Sequence, residues 1–161
     1  MMPQKPKIPK EQLLHLPVAV ATGLYSGLLP VAPGTWGSAA ALVLFVPLSF
    51  VPLWWYLAAV VALFFIGVWA AGATEKIVDR KDPGQVVIDE IVGMLITLAA
   101  SPLHPLPLFA GFLLFRFFDI VKPFPVRWAE EKFAGGLGVM ADDVVAGLYA
   151  LACLTLFSLW W

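Results

Sequence analysis

The sequence predicts an all-α membrane protein, a polytopic bundle of about five membrane helices, and three observations predict it. Hydrophobic residues make up 61% of the chain against 13% charged, far from the near-even apolar share and quarter charged of a soluble domain. The charges are segregated: no Asp, Glu, Lys or Arg lies between Glu11 and Glu75, from Ile91 to Phe115, or from Val144 to Trp161. A chain of 161 residues has room for one domain, and one small core cannot hide three such runs. The whole of 1–161 is therefore read as one integral membrane domain, with 1–12 as a polar tail.

A membrane span needs roughly 20 apolar residues, fewer where its ends reach the interface. The first helix is expected from about Trp36 to Phe50 and the second from Trp54 to Ala73, joined tightly through Val51, Pro52 and Leu53. A polar segment, Thr74 to Gln85, follows. The third helix is expected from Asp89 to Ser101, before a turn built on Pro102, Pro105 and Pro107, and the fourth from Leu108 to about Ile120. Residues 122–141 are polar and interrupted by Pro123, Pro125, Gly135, Gly136 and Gly138, so the fifth helix is expected to begin at Asp142 and reach Trp160 and Trp161. The Gly- and Pro-rich stretch from Leu13 to Pro33 is expected to be interfacial or re-entrant. Lys5, Lys7 and Lys10 ahead of it resemble the start of a signal peptide, but no small-residue cleavage site follows and further spans do.

In this layout all ten Lys and Arg fall on one side of the bilayer, the side that excess basic charge marks as cytoplasmic. Trp54, Trp55, Tyr56, Trp160 and Trp161 fall on the other, as an aromatic belt would. A net charge of −1 gives no reason to expect a nucleic-acid partner, and the single Cys153 excludes a disulfide framework.

The same layout gathers the acids. Asp89 and Glu90 open the third helix, Asp119 closes the fourth, and Asp142 and Asp143 open the fifth, so five carboxylates meet at one membrane level. Ionisable groups at the edge of apolar helices are functional candidates by default. Arg116 and Lys122, each three residues from Asp119, can offset part of that charge. The alternative is that acid pairs merely favour helix N-termini, where the dipole stabilises them. An oxygen-only ligand set without clustered His or Cys suits a hard cation, Mg²⁺ with Mn²⁺ as a substitute. Asp89, Glu90, Asp119 and Asp143 are the candidate metal ligands, and Asp119, Asp142 and Asp143 the candidate catalytic acids. Gly93, and Ala146 with Gly147, follow the two acid pairs by about one turn and would let a neighbouring helix come close.

Phosphate partners are also present. Arg116 and Lys122 are the cationic candidates. The Gly-rich stretches Pro33-Gly34-Thr35-Trp36-Gly37-Ser38 and Gly135-Gly136-Leu137-Gly138 could add N–H donors, with Thr35 and Ser38 as candidate phosphate contacts. His15 and His104 are solitary and Cys153 falls far from the acids, so triad, phosphohistidine and thiol chemistry lack their parts. Metal- or carboxylate-activated water and an aspartate nucleophile both stay open. A small divalent-cation carrier using the same carboxylates is the alternative, although its acids would belong at the bilayer midplane. A partner subunit without chemistry has little reason to concentrate such acids.

Four motifs follow one another in order: Pro33–Ser38, Ile88–Met94 (Ile-Asp-Glu-Ile-Val-Gly-Met), Phe115–Pro125 (Phe-Arg-Phe-Phe-Asp-Ile-Val-Lys-Pro-Phe-Pro) and Gly135–Asp143. Together they resemble the phosphatidylglycerophosphatase A family of bacterial membrane enzymes, over about Thr22 to Gly147. The resemblance implies Mg²⁺-dependent hydrolysis of phosphatidylglycerophosphate to phosphatidylglycerol and phosphate, at the inner membrane, with the site facing the cytoplasm. It implies Asp89, Glu90, Asp119, Asp142 and Asp143 as the acidic set and Arg116 and Lys122 as phosphate partners. Asp82 is secondary and Asp79 is expected to be solvated. Trp128 and Phe133 would rest the segment Val126 to Ala134 against the interface or the bundle.

Overall fold

The structure is a computed structural model that describes residues 8–158, and within them it contains helices and no strands. Lys5, Lys7, Trp160 and Trp161 lie outside the described residues. Seven α-helices follow one another: α1 (Leu16–Ala21), α2 (Pro33–Leu48), α3 (Leu53–Val78), α4 (Ile88–Leu98), α5 (Pro105–Val121), α6 (Val126–Lys132) and α7 (Gly135–Ser158). Five of them, α2 to α5 and α7, stand where the sequence predicts membrane helices.

Proline and left-handed residues set the helix ends. Pro33 and Pro105 occupy first-turn positions of α2 and α5, where a missing N–H is not needed. Asp79 and Lys122 end α3 and α5 in the left-handed conformation (φ 50° and 47°), and Pro123 bars any continuation of α5. At 1.5 Å per residue, α3 (26 residues) and α7 (24 residues) are about 39 and 36 Å long, and both are long and apolar enough to cross a membrane. The helices α2, α4 and α5 have 16, 11 and 17 residues, about 24, 17 and 26 Å, against a hydrocarbon core of about 30 Å.

The helices α2 and α5 start three residues earlier than expected, so Pro105 and Pro107 belong to α5 rather than to the turn, and α4 ends three residues earlier, at Leu98. Two boundaries differ more. Thr74 to Val78 belongs to α3, so the polar connection begins at Asp79. At the other, α7 starts at Gly135, so Asp142 and Asp143 sit two turns inside it. Glycine disfavours helix in isolation, but at Gly136 it permits a contact: a Cβ there would strike the Val68 carbonyl and stand 2.7 Å from the Gly72 nitrogen on α3. Packing of α7 on α3 overrides propensity.

The stretch from Leu13 to Pro33 is also more ordered than expected. It holds α1, a left-handed turn at Gly23, Leu24 and Tyr25, and a 3₁₀ turn at Ser26–Leu28. Val18 and Ala21 are fully buried, α1 packs on α3, and the Val87 N–H donates to the Ala21 carbonyl (2.8 Å). This segment thus braces the start of α4.

At the centre, α4 crosses α7 through glycine on both sides. A Cβ on Gly147 would run into the Gly93 carbonyl, and one on Gly93 would stand 2.7 Å from the Asp143 carbonyl and 2.5 Å from the Phe115 ring. The Thr97 hydroxyl donates to the Gly93 carbonyl (3.0 Å) and approaches that of Gly147 (3.4 Å). At the opposite end of α4, the buried Tyr56 hydroxyl donates to the Leu95 carbonyl (2.6 Å), one of the last four carbonyls that a helix leaves without an internal partner.

Three stability outcomes follow from this packing. Gly147→Leu should destabilise the fold by about 3 kcal/mol, because α4 and α7 cannot separate without loss of their shared core. Leu113→Ala, at an exposed position of α5, should change it by less than about 0.5 kcal/mol. Tyr56→Phe should cost about 1 kcal/mol through the unpaired Leu95 carbonyl. Thermal unfolding in detergent, followed by circular dichroism, measures all three.

Candidate active site

The C-terminal ends of α3 and α5 and the N-terminal ends of α4 and α7 surround a cleft of about 790 Å³. Its floor carries Asp89 and Glu90 from the first turn of α4, Asp119 from the last turn of α5, and Asp142 and Asp143 from α7. The five acids that the sequence singles out therefore meet, but not all at helix starts. Asp142 and Asp143 lie about 10 Å along α7 from Gly135, beyond the first turn where the dipole acts. The dipole explanation is left only for Asp89 and Glu90.

Within the floor, one carboxylate oxygen each from Asp89, Glu90 and Asp143 falls within 4.8 Å of the other two. Asp119 stands beside both Glu90 and Asp143. Asp142 and Asp143 are 7% and 2% exposed. Buried oxygens on Asp89 (Oδ1), Glu90 (Oε2), Asp142 (Oδ1) and Asp143 (Oδ1) have no hydrogen-bond partner. Leaving a charged acceptor buried and unpaired is strongly unfavourable, and like charges at this range repel. A hard divalent cation answers both problems, since it takes carboxylate oxygens as ligands. The donor set fits Mg²⁺ or Mn²⁺, with Asp89, Glu90 and Asp143 converging directly and Asp119 adjacent.

Of the two cations that the sequence singles out, Lys122 lines the cleft, together with Arg80 and Lys81, and Arg116 does not; both are already engaged. The Arg116 guanidinium lies 2.6 Å from Asp119 and 4.0 Å from Glu90. Lys122 Nζ donates to Asp142 Oδ2 (2.6 Å) and pairs with Glu130 of α6 (3.0 Å). Burial alone would lower the Lys122 ammonium, but the hydrogen bonds and charges of Asp142 and Glu130 outweigh it and hold its pKa above the ordinary lysine range. A raised pKa means that this pairing stabilises the fold fully below the unfolded lysine value, near 10.4, and weakens only above it. Lys122 is thus cationic at neutral pH.

The Gly-rich stretches serve the site through packing. At the start of α2, Gly34 lies so close to the Glu90 carboxylate that a Cβ would strike it, and the Arg116 guanidinium would stand 2.8 Å away. Ser38 is fully buried and its hydroxyl donates to the Gly34 carbonyl (2.9 Å). Thr35 is half-buried, and neither Thr35 nor Ser38 lines the cleft. Gly135 does line it, while Gly136 packs on α3 and Gly138 beneath the Phe133 carbonyl.

Asp82 lines the cleft and Asp79 is exposed. Sequence reasoning passed over Glu75 and Glu130, which also line it. Glu75 accepts the Asp82 N–H (2.7 Å), which ties α3 to the following loop, and Glu130 reaches Lys122 only because α6 folds back onto α7. No spacing in the chain signals either contact. His15 and His104 do not line the cleft, and Cys153 lies about 15 Å along α7 from Asp143. Trp128 and Phe133 pair edge to face, with ring centroids 6.4 Å apart.

Comparison with known proteins identifies the family. A family model described as phosphatidylglycerophosphatase A matches residues 19–158. A Haemophilus influenzae protein named phosphatidylglycerophosphatase A is 39% identical over 161 residues, 99% of each chain. An Escherichia coli protein of the same name is 39% identical over 143 residues, 88% of this chain and 83% of its own. A Bacteroides thetaiotaomicron protein provisionally named a phosphatidylinositol-3-phosphatase is 47% identical over 143 residues, 84% of this chain and 89% of its own. No solved structure matches. Matches that run almost from end to end, on a chain whose ordered motifs converge on one acidic cleft, make it a member of the phosphatidylglycerophosphatase A family and a phosphatase.

Proposed function

We propose that this chain is a Mg²⁺-dependent phosphatidylglycerophosphatase, which releases phosphate from phosphatidylglycerophosphate in glycerophospholipid biosynthesis. The observation that carries the reading is the set of four buried, unpartnered carboxylate oxygens on Asp89, Glu90, Asp142 and Asp143 at the floor of the cleft. A family member with this donor set has a place for a hard cation and, beside it, for a phosphate monoester.

The proposed setting is the bacterial inner membrane, with the helices α2 to α5 and α7 embedded and the cleft facing the cytoplasm. In support, α3 and α7 have spanning length, and large apolar residues face outward along the shorter helices, among them Val43, Phe109 and Leu113. In water so much exposed apolar surface would drive association. Every Lys and Arg among the described residues belongs to the cleft end of the bundle or to the segments around it, which the positive-inside rule assigns to the cytoplasm. The short α4 is shielded by its neighbours, so its length need not match the bilayer. A lipid anchored in the cytoplasmic leaflet would bring its phosphate to this level.

Bound Mg²⁺ would supply positive charge to the phosphoryl oxygens and so stabilise the transition state. Asp89, Glu90 and Asp143 would hold it, with Asp119 fixing Arg116 alongside. Arg116 and Lys122 would meet charge that develops on the transferring phosphoryl group. Asp142 or Asp143 would orient and deprotonate the attacking water. Ser38 would act indirectly, by seating Gly34 against Glu90.

The name of the Bacteroides relative supports a second reading, a phosphoinositide monoester as substrate. The family model and the two relatives named phosphatidylglycerophosphatase A favour the glycerol substrate.

Purified protein in detergent should release phosphate from phosphatidylglycerophosphate, lose that activity with EDTA and regain it with Mg²⁺. Its kcat/KM should exceed that for phosphatidylinositol 3-phosphate at least about tenfold, which is about 1.4 kcal/mol of discrimination. The reverse preference would move the assignment to the phosphoinositide. Asp89→Asn and Asp143→Asn should each lower turnover by at least about 100-fold, while Ser38→Ala, which removes no group from the cleft, should stay within about threefold. Assays on variants that elute like the native protein check this, and near-native turnover in Asp143→Asn would exclude the site.

A further inference from the structure

We infer that the cleft holds two divalent cations, the second bound through Asp142 and sharing the carboxylate of Asp143. The inference rests on the metal-dependent reading above and extends it.

Asp89, Glu90 and Asp143 supply the three oxygens that converge on one position, and Asp142 is not among them. An ion there leaves Asp142 Oδ1 unexplained: this atom is closed to solvent and has no hydrogen-bond partner, on a residue only 7% exposed. Its sister oxygen is already taken by Lys122. A carboxylate on the cleft wall, held in place by an ammonium on one oxygen and with its other oxygen buried and unpartnered, is a ligand in waiting. Asp143 lies near enough to Asp142 for their charges to act on one another, and its own Oδ1 is also buried and unpartnered, so its carboxylate is the one placed to reach both ions. Mg²⁺ needs few protein ligands, because it keeps several waters and is completed by substrate phosphate.

Charge points the same way. Arg116 and Lys122 leave three of the five carboxylate charges uncompensated, and Lys122 is shared with Glu130. One divalent ion still leaves the floor negative before a phosphate monoester brings further negative charge. With Glu75, Asp82 and Glu130 counted against Arg80 and Lys81 as well, the cleft carries four uncompensated negative charges, so two ions bring it to neutral and it no longer repels the phosphate. With Asp142 and Asp143 engaged as ligands, the bound cations, rather than a free carboxylate, would activate the attacking water.

Mn²⁺ binding to the detergent-purified, metal-stripped protein, with bound ions counted per chain by equilibrium dialysis and the spin pair read by electron paramagnetic resonance, tests this without any assay of turnover. Two Mn²⁺ per chain with a spin-coupled spectrum is the expected result. Asp142→Asn should bind one Mn²⁺, uncoupled, with the remaining Kd within about threefold of the tighter native value. Asp142→Glu, which keeps the carboxylate, should bind two, so that a poorly folded asparagine variant does not decide the matter. A single uncoupled ion in the native protein overturns the second site and leaves the phosphatase reading standing. No bound ion overturns both, and two ions in a folded Asp142→Asn overturn the assignment to Asp142.

Discussion

Everything at the site depends on how closely α4 can approach α7. Gly93 and Gly147 face one another with nothing between the two backbones, and Thr97 bonds across the crossing. Inside a membrane there is little hydrophobic drive between helices, so close backbone contact through small residues is a main source of association. Here that contact lies one turn below Asp89 and Glu90 on one helix and one turn below Asp142 and Asp143 on the other. Stability and chemistry therefore share one constraint. A side chain on either glycine would separate the helices and dissolve the converging ligand set with them.

Around this crossing the remaining elements act as wedges and latches. The helix α2 presses Gly34 against Glu90 and Arg116, and the N-terminal segment braces Val87 at the start of α4. On the opposite wall, Lys122 ties α6 to α7 through Glu130 and Asp142. Each contact limits the freedom of a carboxylate or of the cation beside it. Holding like charges together in a buried floor is unfavourable in the absence of a counter-ion, and a scaffold fastened at several points keeps them there. Preorganisation of this kind lets a site meet transition-state charge without first rearranging.

The depth of the floor matters as much as its composition. Because α3 and α7 continue past the acids, the reacting level is recessed beneath a wall of helix ends and loops. Recession lowers the local dielectric and strengthens every charge interaction. A lipid substrate supplies the rest of its own positioning, since its acyl chains confine it to the leaflet.

By itself the sequence determined the helical class, the order of the five long helices and the identity of the acids on the floor. These are local properties: apolar run length, proline punctuation, and charges placed where apolar runs stop. It also carried the two glycines of the crossing, one turn after each acid pair. The tertiary structure decided what depends on partners distant in the chain. Helix α7 begins at Gly135 because Gly136 fits against Val68 and Gly72 of α3, a contact that helix propensity argues against. Thr35 and Ser38 look like phosphate ligands in a Gly-rich turn, yet Ser38 is buried and bonded to its own helix. Glu75 and Glu130 join the cleft wall, and Lys122 is shared between two carboxylates, only once α6 and the loop after α3 have folded back. Run lengths and caps can be read from neighbouring residues, whereas which side chains share a charge or fill a gap is settled by packing between segments far apart in the chain.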